Sequence, residues 1–271
     1  MKRVTLFNNH PLEPLPGRQE QLIITGSYSV QILIIFAYCS TKWSFFFRLM
    51  DRGKVLSVIE IALSSALFIA VLYGIGVRYL EGPEAFRHYV REDGPVEYAT
   101  AFFLFAGSLV ALCRAVTCCR GKRHLPILTW SVLAFLFFFA AGDEISWGQR
   151  ILGLESGEFF LKHNKQEEIN IHNLVVAGKN LNIIIFSRLV IIALLFYFIV
   201  IPLLVRKEGF IRNLVTKFGL PLPSLRHIII MGVSTVMIAV ISMAKGSELN
   251  ELAFSVIFFM IFMNPVIFSH E

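Results

Sequence analysis

The sequence predicts an all-α integral membrane protein. The expected architecture is a helical bundle of six core transmembrane helices, an N-terminal segment as a seventh candidate, and a polar extracytoplasmic loop region. Three observations carry that reading. Hydrophobic residues make up 56% of the 271-residue chain and charged residues only 16%, a balance suited to lipid rather than to water. The apolar residues gather in runs that approach or exceed the roughly 20 residues needed to cross the hydrocarbon. The basic residues recur in alternate connections, as cytoplasmic loops require.

Each run reads as a helix, because a helix satisfies its own backbone polar groups in lipid. The first, about 55–77, carries one acid, Glu60, expected to snorkel or to pair with a loop cation such as Lys54. The second, about 97–117, follows Gly94 and Pro95, an N-cap and a first-turn proline. The third, about 126–142, contains TWSVLAFLFFFAA and is nearly all apolar. The fourth, about 181–205, has Arg188 two turns inside its outer end. A buried arginine is costly and needs a partner or an anionic headgroup. The last two, about 227–244 and 252–269, complete the six; Ser247 and Glu248 read as N-cap and N1 of the final helix. The seventh candidate, 22–40, carries Thr, Ser and Gln through its middle. It would span, lie at the interface, or pack elsewhere. Because Met50 opens MDRGKVLSVIE, the chain divides into an N-terminal extension, 1–49, and a six-span bundle, 50–271.

Arginines and lysines around 42–54, 114–123 and 206–226 alternate correctly to be cytoplasmic. Those loops hold only two acids, Asp51 and Glu208; most others fall on the opposite side. Acidic residues contribute little to insertion, so the insertion rule does not explain this asymmetry, and the outer face either uses carboxylates or tolerates them. No secretory signal peptide is apparent in MKRVTLFNNHPLEPLPG. The net charge of +6 forms no single patch, so nucleic acid is not an expected partner. The four cysteines fit no zinc spacing and read as reduced thiols near the cytoplasmic face. The expected location is the cell membrane, with the basic loops cytoplasmic and membrane lipids as partners.

Four polar stretches meet on the outer side: REDGPVE (91–97), GDEISWGQR (142–150), NKQEEINIHN (164–173) and GSELNE (246–251). In the first, Glu97 fits N3 of the following helix, where a carboxylate is favoured. In the second, Asp143 and Glu144 stand at a helix C-terminus, where anions are disfavoured. If that helix continued, Asp143, Ser146 and Arg150 would share one face, with an Asp143–Arg150 ion pair as the structural alternative to a functional role. Trp147 suits a membrane interface. In the third, Glu168 and His172 point together whether the segment is helical or extended; if extended, Asn170 joins them. A carboxylate and an imidazole make metal ligands or an acid/base pair. In the last stretch, capping explains Glu248 and leaves Glu251 over.

These motifs, EDGPVE, GDEISWGQR and NKQEEINIHN, resemble those of a group of uncharacterised bacterial multi-pass membrane proteins. The likeness covers residues about 50 to 271, with Asp143 where the group's pattern has a glutamate. The resemblance implies an integral membrane protein with an outer-face polar site and brings no activity with it. The motifs differ from the Ser/His/Asp pattern of ceramidase-like membrane hydrolases. The chain also has no GxSxG, CxxC or phosphate-binding glycine loop.

The leading expectation is a metal-assisted hydrolase or transferase acting on a lipid or lipid-linked substrate. Glu144, Glu168, His172 and Asp143 would carry catalysis. Glu97, Glu144, Glu168 and His172 would hold a divalent metal ion. Arg150, Arg188, Trp147, Asn170 and Asn173 would bind substrate. Clustered carboxylates repel, so without a cation at least one should hold its proton. The second expectation is a membrane subunit that binds a partner protein through its outer loops. A transporter ranks third, because the spans offer few polar residues toward the midplane.

Overall fold

The computed structural model describes residues 52–171, 173–176, 179–180, 190–241 and 246–266. Residues 1–49 with the 22–40 candidate, together with His172 and Arg188, lie outside the described residues, as do the ends of the fourth, fifth and sixth predicted segments. The described chain is predominantly helical. Its one ladder is a two-residue antiparallel pair, β1 (Val175–Val176) with β2 (Lys179–Asn180).

Helix α1 (Arg52–Gly76) runs into a π-turn (Val77–Glu81) and stops at Gly82, whose φ of 103° only glycine adopts readily. A short α2 (Pro83–Tyr89) follows. Helix α3 (Pro95–Arg120) starts as expected, with Gly94 extended at the N-cap and Pro95 at N1. Helix α4 (His124–Glu144) ends on the two carboxylates. Two short helices, α5 (Gln149–Leu152) and α6 (Glu158–His163), lie in the loop beyond it. Helices α7 (Val190–Leu195) and α8 (Ile201–Lys207) flank a second π-turn (Phe196–Val200). Then come α9 (Gly209–Phe218), α10 (Leu225–Ala239) and α11 (Ser247–Met263). Among the described residues three helices are long and apolar enough to cross a membrane: Lys54–Glu81, Pro95–Arg120 and His124–Glu144. At 1.5 Å per residue, even 21 residues cover roughly 30 Å, the thickness of the hydrocarbon.

The last helix differs from the predicted 252–269. It begins five residues earlier and ends at Met263, with Asn264 as its cap. Pro265 has no N–H to continue the ladder and disfavours helical geometry at Asn264. Beyond it, Val266 donates to the Leu222 carbonyl at 3.0 Å.

Helix α11 is the axis of the bundle, enclosed on most sides, with Ile257, Ile261 and Phe262 fully buried. Helix α3 packs against both α4 and α11. Its buried seam is made of small residues, Gly107, Ala111 and Ala115, four apart on one face. Small residues let the helix backbones approach closely. A side chain at Gly107 would start 3.1 Å from the Phe137 ring. The bulk filling the bundle is aromatic: Phe137 meets Phe262 at 4.7 Å between centroids, and Trp130 meets Phe262 edge-on at 5.6 Å. The outward faces carry the large apolar chains, among them Ile69, Phe102, Phe135 and Val236, each more than half exposed. Small residues line the closest helix contact and large apolar ones fill the centre, while further large apolar chains cover the outward faces that a water-soluble bundle keeps polar.

The two ends of the bundle differ chemically. At one end Glu60, buried in α1, accepts from Asn264 Nδ2 at 2.9 Å and faces His227 Nε2 at 3.4 Å and Arg226 at 3.9 Å. Of the two expectations for Glu60, cation pairing rather than snorkelling is met, through Arg226 and His227, in a buried latch among α1, α10 and the end of α11. His227 Nδ1 accepts from the Ser224 N–H at 3.2 Å, so a neutral imidazole carries its proton on Nε2, toward Glu60. At the other end Tyr79 donates to the Val240 carbonyl at 2.6 Å, and the acidic loops gather there.

Because the α3 seam has no spare volume, Ala111→Phe should destabilise the detergent-solubilised protein by about 1–3 kcal/mol. Phe135→Ala, on the outward face, should change stability far less. Thermal unfolding followed by tryptophan fluorescence tests the contrast; equal effects would contradict the packing described.

Candidate functional site

The chain does not continue helically after Glu144. Ser146, Trp147 and Gly148 take φ values of 47°, 55° and 73°, three successive left-handed residues. Only glycine tolerates this readily; each of the other two costs about 1–2 kcal/mol. The expected helical face of Asp143, Ser146 and Arg150 is therefore absent. The reversal sends Ser146 inward and leaves Trp147 outside, edge-on to Phe139 at 5.3 Å and to Phe138 at 6.2 Å. The Trp147 ring lies over Gly142, where a Cβ would sit 2.8 Å from the indole. Glycine at 142 is thus a condition of the turn.

The reversed segment is locked to residues 164–173 by side chains. Ser146 Oγ donates to Glu168 Oε2 at 2.6 Å. Asn170 Nδ2 donates to both, at 2.9 Å to Ser146 Oγ and 3.0 Å to Glu168 Oε2. Asn170 Oδ1 in turn accepts from Asn164 Nδ2 at 2.8 Å. Asp143 Oδ1 accepts the Ile171 N–H at 2.6 Å, and Gln149 Oε1 accepts the Ile169 N–H at 2.7 Å. Ser146, Glu168 and Asn170 are all buried, Asn170 at 1% exposure. Residues 168–171 are neither helical nor extended: the Asn170 N–H donates to the Glu168 carbonyl at 2.9 Å in a tight turn, with Glu168 and Asn170 buried and Ile171 exposed.

Arg150 pairs with Glu168, Asp93 and Glu92. Partial burial works against its charge, but the Asp93 hydrogen bond and the surrounding carboxylates hold its pKa above the ordinary arginine value. Glu92 also accepts from Gln166 Nε2 at 2.7 Å, and Gln166 accepts from Asn173 Nδ2 at 2.6 Å. The REDGPVE loop is thereby tied to the same core. Glu97 accepts the N–H of Asp93, the residue before the Gly94 N-cap, from the N3 position where a carboxylate is favoured.

These contacts frame a polar cavity of about 110 Å³ whose acidic lining is Glu92, Glu97, Glu144, Glu168, Glu248 and Glu251. Asn170 and Asn173 also line it, whereas Asp143, Arg150 and Trp147 are structural neighbours that shape it. One carboxylate oxygen from each of Glu144, Glu248 and Glu251 lies within 4.8 Å of the others. The sequence assigns Ser247 and Glu248 to a helix start and leaves Glu251 over. In the structure Gly246 is the N-cap and Ser247 the first helical residue. The signal that locates them is their i, i+3 spacing on the first turns of α11, which turns both toward one side. Helix N-termini offset part of the negative charge for Glu97 and Glu248. Glu144 sits at a C-terminus, where the dipole adds to the repulsion.

No family model, curated protein or solved structure matches this chain.

Asn170→Ala would leave Glu168, Ser146 and Asn164 short of partners in a buried place. It should cost about 3 kcal/mol and expose the 164–173 loop to proteolysis before the bundle unfolds. Limited proteolysis with mass mapping reads this out; a loop no more cleavable than in wild type would contradict the lock.

Proposed function

We propose that this chain is a six-span cell-membrane protein whose extracytoplasmic cavity binds an oxygen-ligated divalent cation and uses it in metal-assisted hydrolysis or transfer on a lipid or lipid-linked substrate. The membrane reading is supported by the three long apolar helices, the outward apolar faces, and basic residues at the end opposite the carboxylates. The shorter α10 and α11, and the apolar run through α7 and α8, supply the remaining spans. The single observation that carries the cation reading is the convergence of Glu144, Glu248 and Glu251 from two helices. Three carboxylates this close, one at a disfavoured helix end, need protons or a cation between them. An all-oxygen set suits Mg²⁺, Mn²⁺ or Ca²⁺ better than a thiophilic metal.

Glu144, Glu248 and Glu251 would hold the cation, which would supply Lewis-acid chemistry when bound. Glu168, fixed by Ser146, Asn170 and Arg150, is placed at the cavity wall to accept a hydrogen bond or a proton. His172 and Arg188 keep their expected roles as proton carrier and anion-holding group. A second reading, partner binding, is favoured by the exposed Ile151, Leu152, Leu154 and Phe159 in the loop beside the cavity.

Elemental analysis and thermal scans of detergent-purified protein test the cation reading. Wild type should be stabilised by Mn²⁺, by about 2.7 kcal/mol at a hundredfold excess over Kd. Glu144→Gln and Glu251→Gln should lose both the metal and the stabilisation. Protons compete for the same oxygens, so the stabilisation should fade as pH falls. Equal metal content and equal stabilisation in Glu144→Gln would overturn the assignment.

A further inference from the structure

At the basic end, helix α9 has more apolar surface than the bundle uses. Val215, together with Ile211, packs into a small core with Val205, Leu222 and Val266. On the adjacent sector Phe210, Leu214 and Phe218 form a second apolar row, spaced by four along one face. They are 75%, 43% and 37% exposed. Across its 10 residues the helix therefore has one apolar stripe turned to the protein and a second that is open at Phe210 and part-exposed at Leu214 and Phe218.

Cations surround the outward stripe. Lys217 falls three residues after Leu214 and seven after Phe210, on the same side of the helix. Arg206 and Lys207 end α8 just before it, both exposed. Arg212, on the opposite side, donates through Nε to the Val205 carbonyl at 3.4 Å. The acid at this corner is Glu208. An apolar row flanked by lysine and arginine matches a bilayer surface, with rings among the acyl chains and long cationic stems reaching the headgroups. Anionic headgroups complete the match, since each basic residue near such a surface adds attraction.

We infer that α9 lies in the plane of the membrane interface and docks on anionic lipid, with Phe210, Leu214 and Phe218 inserted and Lys207 and Lys217 on the headgroups. The inference rests on the membrane-spanning reading and adds to it a lipid class and a contact surface. Docking there would also brace the latch below, because α9 leads through Leu222 directly into the Ser224 cap of α10, whose first turn carries His227.

The test uses the full chain with its native cysteines replaced by serine, reconstituted in vesicles of phosphatidylcholine and phosphatidylglycerol at roughly three to one. Nitroxides are placed singly at Phe210→Cys, Asn213→Cys and Phe135→Cys. Collision with oxygen against a water-soluble nickel complex reports depth. The expected order is Phe135 deepest, Phe210 at the acyl–headgroup boundary and Asn213 in water. Adding Lys207→Gln and Lys217→Gln, or using phosphatidylcholine alone, should raise nickel access at Phe210 several-fold. Nickel access at Phe210 equal to that at Asn213, with Phe135 still deep, would overturn the docking and leave the spans standing. Water access at Phe135 as well would instead sink the spanning reading. A Phe210 label shielded from both reagents regardless of lipid would mean that protein covers the stripe, which also overturns the proposal.

Discussion

The Ser146–Glu168–Asn170 hydrogen-bonded triangle is the contact on which the acidic end depends. It sits where a left-handed turn, intrinsically unfavourable at Ser146 and Trp147, joins a loop with little regular structure of its own. Neither piece would hold its shape alone. Interlocked, they satisfy one another's polar groups in a place with little access to water, where an unmade hydrogen bond is expensive. Asp143 shows the same logic: a carboxylate ill-placed for its own helix is well placed to accept the Ile171 N–H of the opposing loop.

The consequence is electrostatic. The lock holds Glu168 on one wall of a cavity whose other walls are the first turns of α3 and α11 and the end of α4. Two helix N-termini soften the negative potential at Glu97 and Glu248, and Arg150 neutralises the outer rim by pairing with Glu92, Asp93 and Glu168. Glu144 has neither benefit. Its proximity to Glu248 and Glu251 concentrates negative charge in that part of the cavity.

Much of this was legible in the sequence, and the parts that were not have physical reasons. Apolar runs located α1, α3 and α4, because length and composition report directly on helices able to cross a membrane. Gly94, Pro95 and Glu97 announced their helix start, since capping is local chemistry. The four polar stretches were recognised as a group, and the structure lines one cavity from all of them. Long-range pairing was not legible. Nothing near Glu60 in the chain indicates Asn264, 204 residues away. The turn at Ser146–Gly148 was missed because its stability comes from Glu168, Asn170 and the gap above Gly142, not from local propensity. The meeting of Glu248 and Glu251 with Glu144 is equally hidden, because it depends on which side of α11 faces the end of α4.

We propose that Glu144, at the end of α4, and Glu248 and Glu251, on the first turns of α11, form a cation site beside the locked loops. The most direct measurement is an anomalous difference map from crystals of the full chain soaked in Mn²⁺. The account predicts a peak among those three carboxylates, and its loss in Glu144→Gln crystals. A fully soaked crystal with no peak there, or with manganese bound elsewhere while these carboxylates hold only protons, would contradict it.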